Sequence, residues 1–193
     1  VLAEASAEGK ITKEESGKGQ AKVYHTWSQG ASRRGDLAQA RTLLDKAEAL
    51  DANNPAVAHA RGQIEEATGN VTAAIAAYAM GAASNPTDPF LIQSWARLEA
   101  KAGRLANARA LYKRGIEAHP DNHHLAQAWA VSESKHRDGD ASIAREQFQR
   151  ASAIAPWSVH TWAAWARFEA FAENNTRSIE TALALYTRGL EVE

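Results

Sequence analysis

The sequence predicts an all-α fold, an α-solenoid wound as a right-handed superhelix from about five helix-turn-helix repeats. Three observations predict it. A pattern recurs along most of the 193 residues, with Ala40, Ala74, Ala108, Ala144 and Ala182 at steps of 34, 34, 36 and 38, and self-similarity at such a period marks stacked supersecondary units. Around each alanine the apolar residues fall at steps of three and four, as in Leu105, Ala108, Leu111, Tyr112, Gly115 and Ile116, which places them on one helical stripe. Regular punctuation separates the stripes: Gly35-Asp36, Gly69-Asn70, Gly103 and Gly139-Asp140 inside the repeats, and Pro55, Pro86, Pro120 and Pro156 between them.

The elements follow in order. Residues 1–20 (VLAEASAEGKITKEESGKGQ) are polar and lack a sustained apolar period, so they are expected to form a flexible leader. Its "SGKGQAK" lacks the G-x-x-x-x-G-K-[ST] spacing of a phosphate loop and follows no strand. The five repeats span about 21–55, 56–86, 87–120, 121–156 and 157–193. Their helices are expected at 21–34, 36–50, 56–68, 71–84, 90–102, 105–118, 123–137, 141–154, 158–173 and 177–192. In each break a glycine can take the left-handed conformation that stops one helix, and the following Asp or Asn can cap the next. The fifth repeat has Asn174, Asn175 and Thr176 there instead. The prolines, lacking a backbone donor, are expected to end each pair. Tyr78 to Pro86, Tyr112 to Pro120 and Phe148 to Pro156 all span eight residues, which places the proline after Tyr186 just past the last residue. The expectation is that repeats continue in a parent protein and that the final helix exposes an apolar face.

Composition narrows function. Hydrophobic residues make up 45% of the chain, enough for a buried core. With 22 basic and 23 acidic residues the net charge is -1, so any preference for nucleic acid must be local. There is no cysteine, hence no disulfide, thiolate metal site or cysteine catalysis. The longest apolar runs fall well below the ~18 residues of a membrane span, so direct membrane insertion is not expected. The chain begins at Val1, and no targeting peptide can be read from it. No G-x-S-x-G, H-E-x-x-H or glycine-rich nucleotide loop is present, so neither catalysis nor a cofactor is expected. His119, His123 and His124 form the one dense histidine cluster. Without further ligands nearby they read as solvated loop residues, not a metal site.

Recurrence also decides how the conspicuous side chains are read. Trp95 with Glu99, Trp129 with Glu133 and Trp165 with Glu169 repeat at the same place, and Trp27 with Ala31 and Arg61 with Glu65 are weaker versions. Trp27, Trp95, Trp129, Trp162 and Trp165 therefore read as core, and Trp157, outside the pattern, as exposed. The glutamates, with Arg109 and Arg145, read as contacts between the two helices of a repeat. A repeated ion pair lacks the asymmetry that acid-base catalysis needs.

Ala108, Tyr112, Gly115 and Pro120, at spacings of four, three and five, resemble the tetratricopeptide repeat. The first helix departs from it with Trp95 and Glu99 in "WARLEAKAG", followed by "NARALYKRG". That combination resembles the half-a-tetratricopeptide (HAT) variant, and the likeness covers residues 21–193, including "WAVSESKHRDGDASIAREQFQRA" and "WARFEAFAENNTRSIETALALYTRG". The resemblance implies a role in RNA processing, with the plastid HAT proteins that stabilise and process transcripts as the suggested relatives. Ordinary tetratricopeptide proteins hold peptides or assist assembly of membrane complexes.

In that family set positions of the first helix line the concave wall. The matching residues include Arg33; His59 and Gln63; Phe90, Gln93, Arg97 and Lys101; Gln127 and Lys135; and His160 and Arg167. Over the 25 matching positions six are basic (Lys22, Arg33, Arg97, Lys101, Lys135, Arg167) and one acidic (Glu66). Such a wall suits phosphates and base edges, or an acidic peptide. The expectation is thus a non-enzymatic scaffold with an extended partner in its groove. Single-stranded RNA in organellar, chloroplast-type transcript maturation is one reading. An acidic or extended protein segment, within a photosynthetic membrane or ribonucleoprotein complex under assembly, is the other.

Overall fold

The computed structural model describes the backbone of residues 13–172 and 176–191, and the side chains of 15–171 and 180–191. Among the described residues all regular structure is α-helical, in ten helices: α1 Lys13–Arg33, α2 Leu37–Leu50, α3 Pro55–Ala67, α4 Val71–Ser84, α5 Pro89–Lys101, α6 Leu105–Ala118, α7 His123–Lys135, α8 Ala141–Ile154, α9 Val159–Ala172 and α10 Thr176–Leu190. Consecutive helices pair as hairpins, α1 with α2 through α9 with α10, and this stacking of helical hairpins is the α-solenoid architecture. The chain divides into two compact units, Val1–Pro86 with the first two pairs and Thr87–Glu193 with the other three. No described helix is long and apolar enough to cross a membrane.

The turns show why the helices stop where they do. Gly35, Gly69 and Gly103 have φ of 82°, 79° and 81°, a conformation that side chains with a Cβ rarely adopt. Each closes a C-terminal motif in which the next amide returns to the carbonyl five residues before it, as Asn70 N–H does to the Glu65 carbonyl at 2.8 Å. Asp36 and Asn70 then cap α2 and α4 by accepting from Gln39 N–H and Ala73 N–H. In the fourth repeat α7 ends at Lys135 and the glycine acts differently. A Cβ on Gly139 would lie 1.9 Å from the Glu133 carbonyl oxygen, so close backbone approach selects glycine there. Asn174 and Asn175, expected to do this work in the fifth repeat, lie outside the described residues.

Two expectations need correction. Pro55 opens α3 instead of closing the pair before it, because the first helical position needs no N–H and Asn54 already caps the turn. Helix α1 begins at Lys13, so Lys13–Gln20 are helical where a flexible leader was expected. Those turns carry no apolar stripe for periodicity to detect; Gly17 packs near the Leu50 carbonyl, and the stripe proper starts at the fully buried Ala21.

Each unit has its own apolar interior. Ala21, Ala31, Ala40, Leu44, Val57 and Ile64 share one cluster in the first unit. In the second, Ile92, Ala96, Ala108, Tyr112 and Leu125 form one cluster, and Trp162, Ala166, Ala182 and Leu185 form another. Alanines at the crossings let helix axes approach closely, and each large buried side chain stabilises the fold by about 1.5–3 kcal/mol. Tyr112 donates to or accepts from Ser132 Oγ at 2.9 Å, and burial pushes its phenol up to about 12.

The tryptophans divide. Trp129 stacks on Tyr112 and Trp165 on Phe148, at 6.0 and 6.1 Å between ring centroids; Trp162 is buried and Trp95 half-buried. Trp157 is exposed, as its place outside the pattern predicts. Trp27 is also exposed, against the core expectation. The aromatic of a preceding helix pair that covers Trp129 and Trp165 has no counterpart before α1 among the described residues.

Candidate functional site

The site begins with what happens to the carboxylates. Glu133, buried on α7, accepts from Arg109 Nε and Nη2 of α6 at 2.7 and 2.8 Å, from Trp129 Nε1 at 3.0 Å and from Asp140 N–H at 2.9 Å. Glu169 accepts from Arg145 of α8 at 2.9 Å and from Trp165 Nε1 at 3.0 Å, and Glu65 accepts from Arg41 of α2 at 2.8 and 2.6 Å. In each of these the arginine lies 24 residues before its glutamate, on the preceding helix pair. The expectation that these residues join the two helices of one repeat is therefore corrected: they join successive repeats. The arginine stem spans one helix crossing, and the preceding pair is the neighbour within that reach.

Glu99 is different. Its expected partner Arg109 serves Glu133, and Glu99 instead accepts from Trp95 Nε1 at 3.0 Å and from Arg104 of its own repeat. Arg104 stands where Asp36, Asn70 and Asp140 cap α2, α4 and α8, and α6 begins without a side-chain cap. Burial disfavours the charged forms of Glu99 and Glu133. The hydrogen bonds from Arg104 and Trp95 to Glu99, and from Arg109, Asp140 N–H and Trp129 to Glu133, outweigh it and hold both carboxyls below their ordinary value.

Helical geometry turns this arrangement into a charge asymmetry. With Glu133 and Glu169 locked toward the preceding pair and Glu99 toward Arg104, residues two positions before and after these glutamates point to the opposite side of each helix. In the second unit these line two adjoining grooves. One, of about 450 Å³, is lined by Arg97, Ala100, Lys101, Val131, Ser132, Lys135, His136 and Arg137. The next, of about 540 Å³, is lined by Gln127, Val131, Lys135, His160, Arg167 and Phe171, among others. Val131 and Lys135 belong to both. Among the described residues no Asp or Glu lines either groove, while five arginine and lysine side chains do. The first unit has a smaller hollow of about 200 Å³ lined by Ser28, Gln29, Ser32, Arg33, Ala60, Gln63 and Ile64.

Of the residues singled out from the sequence, the structure thus brings Arg97, Lys101, Gln127, Lys135, His160 and Arg167 to one connected pair of grooves, and Arg33 and Gln63 to the hollow in the first unit. Three lie elsewhere. His59 is half-buried with its ring 5.7 Å from that of Tyr78, Gln93 is half-buried, and Phe90 is exposed; none lines these grooves. His136 and Arg137 line the groove unforeseen, because helix 123–137 was expected to carry them past the register positions. The signal was the basic run Lys135-His136-Arg137 directly before Asp138-Gly139, where a turn brings consecutive residues to one edge.

The histidine cluster is set apart from these grooves. His119 Nε2 lies 2.7 Å from the Thr87 carbonyl, and the His123 and His124 rings are 3.9 Å apart. Burial and the His124 charge lower the His123 pKa. Among the described residues no group of three His, Cys, Asp or Glu side chains is placed to hold a metal ion.

No protein-family model and no curated protein matches the sequence. Solved structures resemble the fold. MamA from Desulfovibrio magneticus RS-1 is 18% identical, over 90% of this chain and 94% of that one, with a TM-score of 0.68. PilF of Pseudomonas aeruginosa is 14% identical over 90% of this chain and 78% of that one, with a TM-score of 0.74. YrrB, described as a TPR protein with an unusual peptide-binding site, is 16% identical over 87% of this chain and 89% of that one, with a TM-score of 0.62. The chain accordingly has the fold of tetratricopeptide-type helical repeats.

Proposed function

We propose that this protein is a non-enzymatic scaffold whose second unit holds an extended, acidic segment of a protein partner in the paired grooves of α5, α7 and α9. The observation that carries this reading is the composition of the groove walls: among the described residues, five cations, two histidines and no carboxylate, interleaved with Val131, Phe168 and Phe171. A peptide with spaced carboxylates would meet the cations, and an apolar side chain between them would be desolvated against the phenylalanines. Desolvated aromatic contacts supply most of the energy of peptide interfaces, and flanking charge supplies orientation and rate. The likeness to YrrB supports a peptide as ligand.

Single-stranded RNA needs stacking platforms as well as cations. Trp129 and Trp165 are engaged with Tyr112 and Phe148, and their indole N–H groups with Glu133 and Glu169. That leaves Phe171 as the well-exposed ring on the groove, and five cations would meet only a handful of phosphates. Both features favour the protein partner.

Fluorescence anisotropy with a labelled glutamate-rich peptide carrying one phenylalanine, a lysine-rich counterpart and a mixed-sequence single-stranded RNA tests this. The acidic peptide should bind alone, and both Lys135→Glu and Phe171→Ala should weaken it roughly tenfold, about 1.4 kcal/mol each. RNA binding with a steep salt slope, unaffected by Phe171→Ala, would refute the proposal.

A further inference from the structure

The two grooves of the second unit share Val131 and Lys135 but differ in chemistry. The groove built from α5, α7 and the turn after α7 gathers Arg97, Lys101, Lys135 and Arg137 with His136, and among the described residues no phenylalanine, tyrosine or tryptophan lines it. The groove built from α7 and α9 has Lys135 and Arg167 as its cations and carries Phe168 and Phe171. The first suits concentrated negative charge, and the second suits an apolar group.

Four cations around one hollow of about 450 Å³ exceed what the helix ends call for. Lys101 and Lys135 lie in the last turns of α5 and α7, where a cation complements the helix dipole. Arg97 lies a turn earlier and Arg137 follows the end of α7, so the dipole accounts for neither. Arg97 and Lys101 are like charges four apart on one helix, an arrangement that destabilises it. Among the described residues no ion pair engages Lys101, Lys135 or Arg137. His136 adds a donor: its Nδ1 accepts from Asp138 N–H at 3.0 Å, so the neutral ring carries its proton on Nε2. A carboxylate brings one charge and two oxygens to such a wall. A phosphate monoester brings a charge near -2 and three acceptor oxygens, and arginine can hold it through two parallel N–H bonds.

We infer that the charged groove receives a phosphorylated side chain of the partner segment, with an apolar side chain of the same segment in the neighbouring groove. This rests on the proposal above that the paired grooves hold an acidic segment, and it names the acid. Helix α7 contributes to both grooves, so their centres are offset by about one helix spacing, roughly 8–10 Å. An extended chain advances about 3.3 Å per residue. The phosphate and the apolar side chain would therefore stand about three positions apart.

Fluorescence anisotropy with three forms of one labelled peptide tests this. A phenylalanine stands three residues to either side of a variable position, which serves either chain direction. That position is phosphoserine, glutamate, or glutamate beside a second glutamate that matches the phosphate charge. The phosphoserine form should bind about tenfold tighter than either glutamate form, the gain of one strong charge-assisted contact. Lys101→Gln combined with Arg137→Gln, both at exposed positions, should abolish that difference, whereas Phe171→Ala should weaken all three forms alike. A glutamate form that binds as tightly as phosphoserine, or a preference that survives the double substitution, would overturn the inference and leave the acidic-segment proposal standing. Absence of binding by all three forms would overturn both.

Discussion

Single residues decide the stability of the joints. Removing the acceptor with Glu133→Ala leaves Arg109, Trp129 Nε1 and Asp140 N–H without their shared partner. Thermal unfolding should show a loss of about 2–4 kcal/mol. Glu48→Gln, at a more exposed pair with Arg61, should cost less than about 1 kcal/mol. The sign of the acid response follows from Glu99 and Glu133, whose folded carboxyls lie below the ordinary value of 4.5. Between that value and the lower folded values the unfolded chain binds more protons. Their contribution is therefore present above about pH 4.5 and is lost as pH falls through the folded values. Chemical denaturation midpoints should drop over that range, and in Glu133→Gln the drop should be shallower. Glycines separate just as sharply. A Cβ at Gly62 would lie 2.2 Å from the Tyr78 ring, whereas nothing lies within 4 Å of one at Gly19. Calorimetry should find Gly62→Ala destabilising by about 1–3 kcal/mol, and Gly19→Ala stabilising by up to about 1 kcal/mol.

Among the elements, the third repeat departs from the scheme in a coordinated way. Arg104 occupies the cap position and is also the partner of Glu99. Arg104→Asp would give α6 the cap that Asp36 and Asn70 give α2 and α4, a gain of about 1 kcal/mol. It would also leave buried Glu99 without its cation and beside a second carboxylate, a larger loss. Net destabilisation by thermal melting is expected, and a rise in melting temperature would show that the Glu99 contact contributes little. The helices themselves were legible because apolar residues recur with period 3.6 and Gly followed by Asp or Asn marks the breaks at 35–36, 69–70 and 139–140. Their ends were less so. Lys13–Gln20 extend α1 without burying a stripe, and α7 stops at Lys135 because Glu133 bonds Asp140 N–H through its side chain. Neither cause leaves a local pattern. The partners of the glutamates were misassigned for a related reason: a 24-residue separation specifies no neighbour until the stacking of pairs is known.

At the scale of the molecule, repetition made the architecture readable and left the site only partly so. Arg97, Lys101, Gln127, Lys135, His160 and Arg167 could be placed on a common wall because they share a register from one repeat to the next. His136 and Arg137 could not, since a turn and not the register delivers them, and His59 was diverted toward the Tyr78 ring. What the superposed repeats could not reveal is where the carboxylates go, and that determines the character of the grooves. Sequestering Glu99, Glu133 and Glu169 leaves a basic wall on a chain of net charge -1. The central claim is that this wall of the second unit receives an acidic, extended protein segment. The most direct measurement is amide chemical-shift mapping of the isotopically labelled protein during titration with the glutamate-rich, phenylalanine-bearing peptide. The account predicts shifts concentrated at Arg97, Lys101, Val131, Lys135, Arg167 and Phe171, with the amides of α6 and α8 unmoved. Shifts confined to α1 or α10, or none at saturating peptide, would contradict it.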